Sequence, residues 1–453
     1  MRTLLTDAAE RAIRYVESVN DRPVRPDPNA VAGLKRWDIP LQDGPIDPSA
    51  VLRELDEVGS VATMAMSGGR FFGFVIGGSL PASLAASWIA AAWDQNTGLS
   101  TITPSTSELE RISLRWLLDL FGLPSSVAGA FVTGATVANF TALAAARRSV
   151  LLRHGWDPDA DGLFGAPSVT VVVGDEVHPT VMKAVGLLGF GKRRVERVPV
   201  DSQGRMRSDA LPKIKGPTIV LAQAGNVNTG AVDPLKPIIE WAHDGHAWVH
   251  VDGAFGLWAA TAPSRAYLVE GFTQADSWAT DAHKWLNVPF DSGLAFVRDT
   301  DALRGAMAVT AEYLPKMTER RDPSDYTPEL SRRARGVEVW AALRSLGRSG
   351  VAEMIERTCR HARRFAQGLQ EAGFEVLNEV VLNQVLVSFG TPEQTQRTIA
   401  ALQEDGTCWV GGTVWQGRTA MRISVSSWAT TEEDVERSLR AMITCGASAR
   451  RES

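Results

Sequence analysis

Cysteine is scarce in this chain: Cys359, Cys408 and Cys445 are the only three among 453 residues. They are too few and too scattered for a disulfide framework or a cysteine zinc site, which points to a reducing compartment and to thiols acting as small buried hydrophobes. Basic runs are also missing. With 47 Lys and Arg against 52 Asp and Glu the formal net charge is −5, which argues against a nucleic-acid groove or an anionic membrane surface as partner. No apolar run is long enough to cross a bilayer, and the opening MRTLLTDAAERAIRYVESV mixes acids with bases along an amphipathic pattern. The expected location is the cytoplasm. No internal repeat or low-complexity tract is present.

What is present is enough apolar material, 44% of residues, for a large core: one large domain with a smaller partner. The first hundred residues read as broken helices, interrupted by NDRPVRPDPNA (20–30) and SGGRFFGFVIGGSLPASL (67–84), and predict an irregular arm. From about residue 106 short β-branched runs alternate with helical patterns: 168–174, 195–200, 217–222, 247–252 and 293–298. That rhythm predicts an α/β layer with a mostly parallel central sheet and helices on both faces. After Gly350 a long helix (351–373) leads into short strands and one helix (391–406), a small α+β domain. The expected division is 1–105 for the helical arm, 106–345 for the α/β domain and 346–453 for the small domain.

In such a sheet ligands bind beyond the carboxyl ends of the strands. Asp175, Glu176 and His178 follow the first run; Gly225, Asn226, Asn228 and Gly230 follow 217–222; Asp252 ends AWVHVD; and Lys284 follows SWATDA. FVTGATVANF (131–140) places Gly134, Ala135 and Thr136 at a helix start, where backbone N–H groups form an anion site. A lysine, a carboxylate and such a helix start together suit an aldehyde cofactor that carries a phosphate and a pyridine nitrogen, which is pyridoxal 5'-phosphate. Asp252 would keep the ring nitrogen protonated, Ala254 would leave room beneath the ring, and Lys284, desolvated by Trp285, should have a lowered pKa.

DGAFG (252–256) and TDAHKWLN (280–287), preceded by GDEVHPTVMKAVGLLGFG (174–191) and GNVNTGAVDPL (225–235), give the chain its family character: it resembles the group II pyridoxal-phosphate-dependent amino acid decarboxylases, which include the aromatic amino acid, glutamate, tyrosine and diaminobutyrate enzymes. The resemblance runs from about residue 67, with FFGF (71–74) and TPSTSELE (103–110) in its amino-terminal part, to about residue 440. It implies the aspartate aminotransferase fold (fold type I) and a homodimer whose subunits share the active site. It further implies Lys284 as the Schiff-base lysine, Asp252 as the pyridinium partner, and His178 as the histidine stacked on the ring. Gly134, Ala135 and Thr136 stand where the family binds phosphate, with Asn226 and His283 as further cofactor contacts. Arg422 in MRISVSS, with Phe72, corresponds to substrate contacts. Tyr326 matches the mobile-loop tyrosine, between Tyr313 and Arg332, that returns a proton to the α-carbon. The implied reaction is decarboxylation of an L-amino acid to its amine. Aldehyde-forming oxidative deamination, aldol or lyase cleavage and transamination use the same scaffold, and a non-catalytic cofactor-binding protein is the rival of a different class.

Blander readings stand beside these. His243, His246 and His250 straddle a helix end and a strand, so their side chains should diverge rather than hold a metal. Arg332, Arg333 and Arg335 suit a solvated helix entrance as well as a functional cluster. Trp88, Trp93 and Trp116 fall at helical positions, where core packing is expected.

Overall fold

The β-branched runs become strands of one sheet. In the computed structural model, which describes residues 1–309 and 320–451, the strands are β1 (Ala128–Val132), β2 (Thr170–Gly174), β3 (Glu196–Val198), β4 (Thr218–Gln223), β5 (Trp248–Asp252), β6 (Ser277–Asp281) and β7 (Gly293–Val297). Their spatial order is β1-β7-β6-β5-β4-β2-β3. β7 runs antiparallel to both its neighbours and the remaining pairs are parallel. Six strands therefore end at the same edge. β4 and β5 have no alternation, with Ile219, Val220, Leu221, Val249 and Val251 all buried, as strands covered on both faces require. β1, AGAFV, was not among the expected strands because alanine and glycine carry little β-propensity. A Cβ on its Gly129 would come within 2.6 Å of Leu114, so close packing explains the small residue.

Contacts divide the chain differently from the expected boundaries at 105 and 345. One unit, Ser79–Arg360 with Asn378–Gln384, contains the large sheet; the other comprises Met1–Gly78, His361–Leu377 and Val385–Ser453. The arm joins the C-terminal residues through backbone pairing that no local pattern encodes: Phe71 bridges Trp409, and Val24 N donates to Gly406 O at 2.8 Å. The second sheet comprises β8 (Glu375–Val376), β9 (Gln384–Ser388), β10 (Gly411–Trp415) and β11 (Arg418–Ser424), in the order β10-β11-β9-β8. Two helices accompany it where one was expected, Pro392–Asp405 and Glu432–Arg451. The second begins at a reciprocal cap in which Asp434 N donates to Thr431 Oγ1 and Thr431 N to Asp434 Oδ2. The expected long helix begins just after Gly347, whose φ of 60° divides it from a preceding helix that starts at Gly336, and it runs to Glu371.

Trp88 and Trp93 do not fill a core. They are 40% and 44% exposed, beside an exposed Ile89, on the helix Pro81–Trp93. Trp116 does pack, stacked on Trp340 at 6.4 Å.

Candidate active site

The carboxyl ends of β1, β6, β5, β4 and β2 deliver the expected residues to one edge. β5 and β6 are joined beyond their ladder: Gly253 N donates to Ala279 O, and Asp281 N to Ala254 O, both at 2.9 Å. Trp258 Nε1 donates to Asp281 O at 3.1 Å. The DGA turn and the DAHK turn are thus held together by backbone bonds, which brings Asp252, Ala254, Asp281, His283 and Lys284 into one group.

Asp252 is buried, and one of its oxygens accepts the Ala254 N–H at 3.2 Å. Burial pushes its carboxyl above the usual carboxylate range, while the charges of His178 and Lys284 pull the other way. A cationic nitrogen donor meeting this oxygen would offset the desolvation. His178 caps the helix Pro179–Leu187; the Thr180 N–H donates to its Nδ1, with Thr180 Oγ1 2.7 Å away. The acceptor role of Nδ1 places the neutral ring's proton on Nε2.

At β1, Gly134 precedes the helix Ala135–Leu152 without any side-chain cap. β7 begins against it, since a Cβ on Gly293 would lie 2.4 Å from Gly134 Cα. The first helical N–H, that of Ala135, donates to Asp281 Oδ1 at 2.6 Å, and Thr136 is half-buried in the same turn. Asp281 Oδ2 is 2.9 Å from Lys284 Nζ, so the lysine has a buried counter-charge absent from the sequence reading. His283 is held by the Ser292 N–H donating to its Nδ1 at 3.0 Å; burial, the largest influence, moves its pKa down.

The remaining candidates are placed elsewhere or differently. The Asn226 side chain joins two loops: Oδ1 accepts from Asn228 N at 2.8 Å in its own turn, and Nδ2 donates to Glu176 Oε2 at 2.9 Å. Phe72 belongs to the other unit, fully enclosed and edge-on to Phe365 at 5.1 Å, so its ring presents no surface to a substrate. Arg422 lies on β11, opposite Gly411, with its pKa lowered by burial. The Tyr326 ring lies under Arg321, 4.1 Å from Cζ, and lines a cavity with Ala128 and Gly129 at the beginning of β1. The first part of the expected loop, including Tyr313, lies outside the described residues.

The arginines of 331–340 are structural. Arg332 is fully buried and donates to Glu110 Oε2 at 2.7 Å, Thr97 O at 2.9 Å and Phe131 O at 2.6 Å. Arg335 pairs with Asp291 at 2.7 Å and Arg333 with Glu338. The three histidines also part company: His243 meets Asp276, His250 meets Ser277 and Asn139, and His246 sits at φ 58°. Among the described residues no group of three or more His, Cys, Asp or Glu could hold a metal.

The donor set fits pyridoxal phosphate at Lys284, at Asp252 and at the helix start, where Gly134 supplies no side-chain cap. Ser292 adds a buried hydroxyl beside His283 that has no protein partner. The missed residue is Asp281, visible in the quoted TDAHKWLN as the acid three places before the lysine.

Residues 53–390 match the family model described as the pyridoxal-dependent decarboxylase conserved domain. Tryptophan decarboxylase 1 of Oryza sativa subsp. japonica is 27% identical over 478 aligned residues, covering 96% of this chain and 91% of that protein. The 4-hydroxyphenylacetaldehyde synthase of Rhodiola rosea is 27% identical over 294 residues, 60% of this chain and 58% of that one. Among solved structures, Oryza sativa TDC with PLP and tryptamine superposes with a TM-score of 0.91 at 24% identity, over 99% of this chain and 97% of that chain. That likeness is one of fold. No described helix is long and apolar enough to cross a membrane.

Proposed function

Because the chain, matched over residues 53–390, belongs to the pyridoxal-dependent decarboxylase family, we propose that it removes the carboxylate of an L-amino acid as carbon dioxide and releases the corresponding amine. The observation that carries this reading is the meeting of a buried carboxylate, Asp252, with Lys284 at the ends of adjacent strands β5 and β6, beside the helix start after β1, where Gly134 supplies no side-chain cap. When bound, the cofactor supplies the electron sink.

The chain's residues supply orientation and protons. Lys284 would hold the cofactor through its amine and release it to the substrate amine. Asp252, poorly hydrated, keeps a proton on the ring nitrogen. Ala254 leaves space beneath the ring, and the Gly134–Thr136 turn directs N–H groups at the phosphate. His178, fixed through Nδ1 by Thr180, would stack on the bound cofactor and direct its ring toward the substrate carboxylate. Arg422 is the candidate for the substrate's own acid group. The bond that stands upright to the ring is the one that breaks, so these contacts decide the outcome.

The aldehyde-forming relative makes oxidative deamination the second reading. Purified protein loaded with pyridoxal phosphate and offered a panel of L-amino acids tests both. Amine and carbon dioxide in equal amounts are expected; aldehyde, ammonia and peroxide formed together with carbon dioxide at the expense of dioxygen would replace amine release by oxidative deamination, and keto acid without carbon dioxide would overturn decarboxylation.

A homodimer belongs to the same proposal. Its support is the exposed Trp88, Ile89 and Trp93 on one helix and an N-terminal helix, Arg2–Ser18, that buries none of its residues within the chain. The cytoplasm is the proposed location.

A further inference from the structure

We propose that the Asp281 carboxylate competes with the cofactor's phosphate for the start of the Ala135–Leu152 helix, and so limits how tightly this enzyme holds its cofactor. The inference rests on placing the phosphate at Gly134–Thr136 and the covalent link at Lys284. It does not depend on which substrate bond breaks.

Asp281 is 2% exposed at the end of β6, and its backbone is fixed on both sides, N–H to Ala254 O and C=O from Trp258 Nε1. The side chain therefore has little room to withdraw. Oδ1 takes the Ala135 N–H at 2.6 Å and Oδ2 faces Lys284 Nζ at 2.9 Å. The other charged or titratable groups around it are His283, with Nε2 3.7 Å from Oδ1, and Asp252, which feels Asp281's negative charge.

A helix start carries roughly half a positive charge. One carboxylate already answers that charge, while a phosphate monoester brings roughly −1.5 to −2 more at pH 7. The two anions then share one helix start and one N–H in a poorly hydrated site, where like charges repel more strongly than in water. The pair with Lys284 must also be given up when the lysine nitrogen bonds to the cofactor. Both effects oppose loading, and only the first depends on the phosphate.

Asp281→Asn keeps an oxygen for the Ala135 N–H and removes the charge. Full-length wild type and variant are dialysed against graded pyridoxal phosphate and, separately, against pyridoxal, which lacks the phosphate; bound cofactor is read by absorbance. The variant is expected to bind pyridoxal phosphate at least tenfold more tightly and pyridoxal within threefold of wild type. Equal gains for both ligands would assign the effect to Lys284 alone and overturn the proposal, as would unchanged or weaker phosphate-ligand binding. Asp281→Ser, which also removes the charge, serves if the asparagine protein does not fold. Borohydride fixation followed by peptide mapping is run alongside: a label away from Lys284 would instead reject the cofactor placement itself.

Discussion

His250 offers a measurement whose size follows from the structure. It lies on β5 two residues before Asp252, wholly buried, within a chain of hydrogen bonds. Trp248 Nε1 donates to Ser277 Oγ at 2.9 Å, which leaves the Ser277 hydroxyl proton for His250 Nδ1 at 2.9 Å. Nε2–H then donates to Asn139 Oδ1 at 2.8 Å. Every position suits a neutral ring, and burial pushes the imidazole pKa down to about 3 from 6.5. The folded value is below the unfolded one, so on acidification the unfolded chain takes up the proton first. The associated stability is full above pH 6.5 and is lost as pH falls toward 3. At 1.36 kcal/mol per pKa unit the complete loss is about 5 kcal/mol, of which about 2 kcal/mol falls between pH 7 and pH 5. Urea unfolding of the cofactor-saturated protein, compared with His250→Gln over that interval, isolates the contribution, because other titrations cancel in the difference. The glutamine protein should start less stable at pH 7 by about 1–3 kcal/mol and lose about 2 kcal/mol less on going to pH 5. Parallel profiles for the two proteins would refute the reasoning. So would a histidine-labelled NMR spectrum in which the His250 ring of the folded protein titrates near 6.5.

Asp252→Asn cannot hold a ring proton and is expected to lower kcat by about 10²-fold or more at saturating cofactor; steady-state amine formation checks this, and an unchanged kcat would remove Asp252 from the chemistry. The position of Tyr326 under Arg321 near the beginning of β1 predicts that Tyr326→Phe leaves kcat within about twofold, against the loss of about 10²-fold expected of a general acid. Tyr313→Phe, altering the other tyrosine associated with that loop, should cost about 10²-fold in amine formation; the reverse pattern would restore Tyr326 as proton donor. Arg332→Met leaves the fully buried Glu110 with Arg321 as its other arginine partner. It should destabilise the fold by about 3 kcal/mol, read as a fall in Tm, whereas an unchanged Tm with reduced turnover would mean a direct role in the site.

Much of the α/β unit was legible because its information is local. Short β-branched runs ending in Asp252 or preceding His178 declare both a strand and the end at which chemistry collects. Glycine at 134 followed by a helical pattern declares an N-terminus. Side chains whose role is set by a distant partner were not legible. Asp281 stands in the same quoted stretch as Lys284, yet its meaning comes from an N–H 146 positions earlier in the chain. Arg332 reads as a surface arginine until Glu110 and two distant carbonyls are seen around it. Asn226 reads as a ligand contact, and its further link to Glu176, 50 positions earlier, is visible only in the fold. Trp88 and Trp93 follow a helical spacing that predicts burial, but the chain itself does not cover them.

The amino-acid order alone determined the alternation of strands and helices, the identity of the lysine and acid proposed to hold the cofactor, and the helix start proposed to meet a phosphate, because each depends on propensity, period or a short motif. Folding in three dimensions decided which buried charges face one another, which aromatic rings are enclosed, and that the N-terminal arm pairs with the C-terminal residues. Those outcomes depend on backbone hydrogen bonds and desolvation between positions far apart in the chain, and no local pattern carries that information.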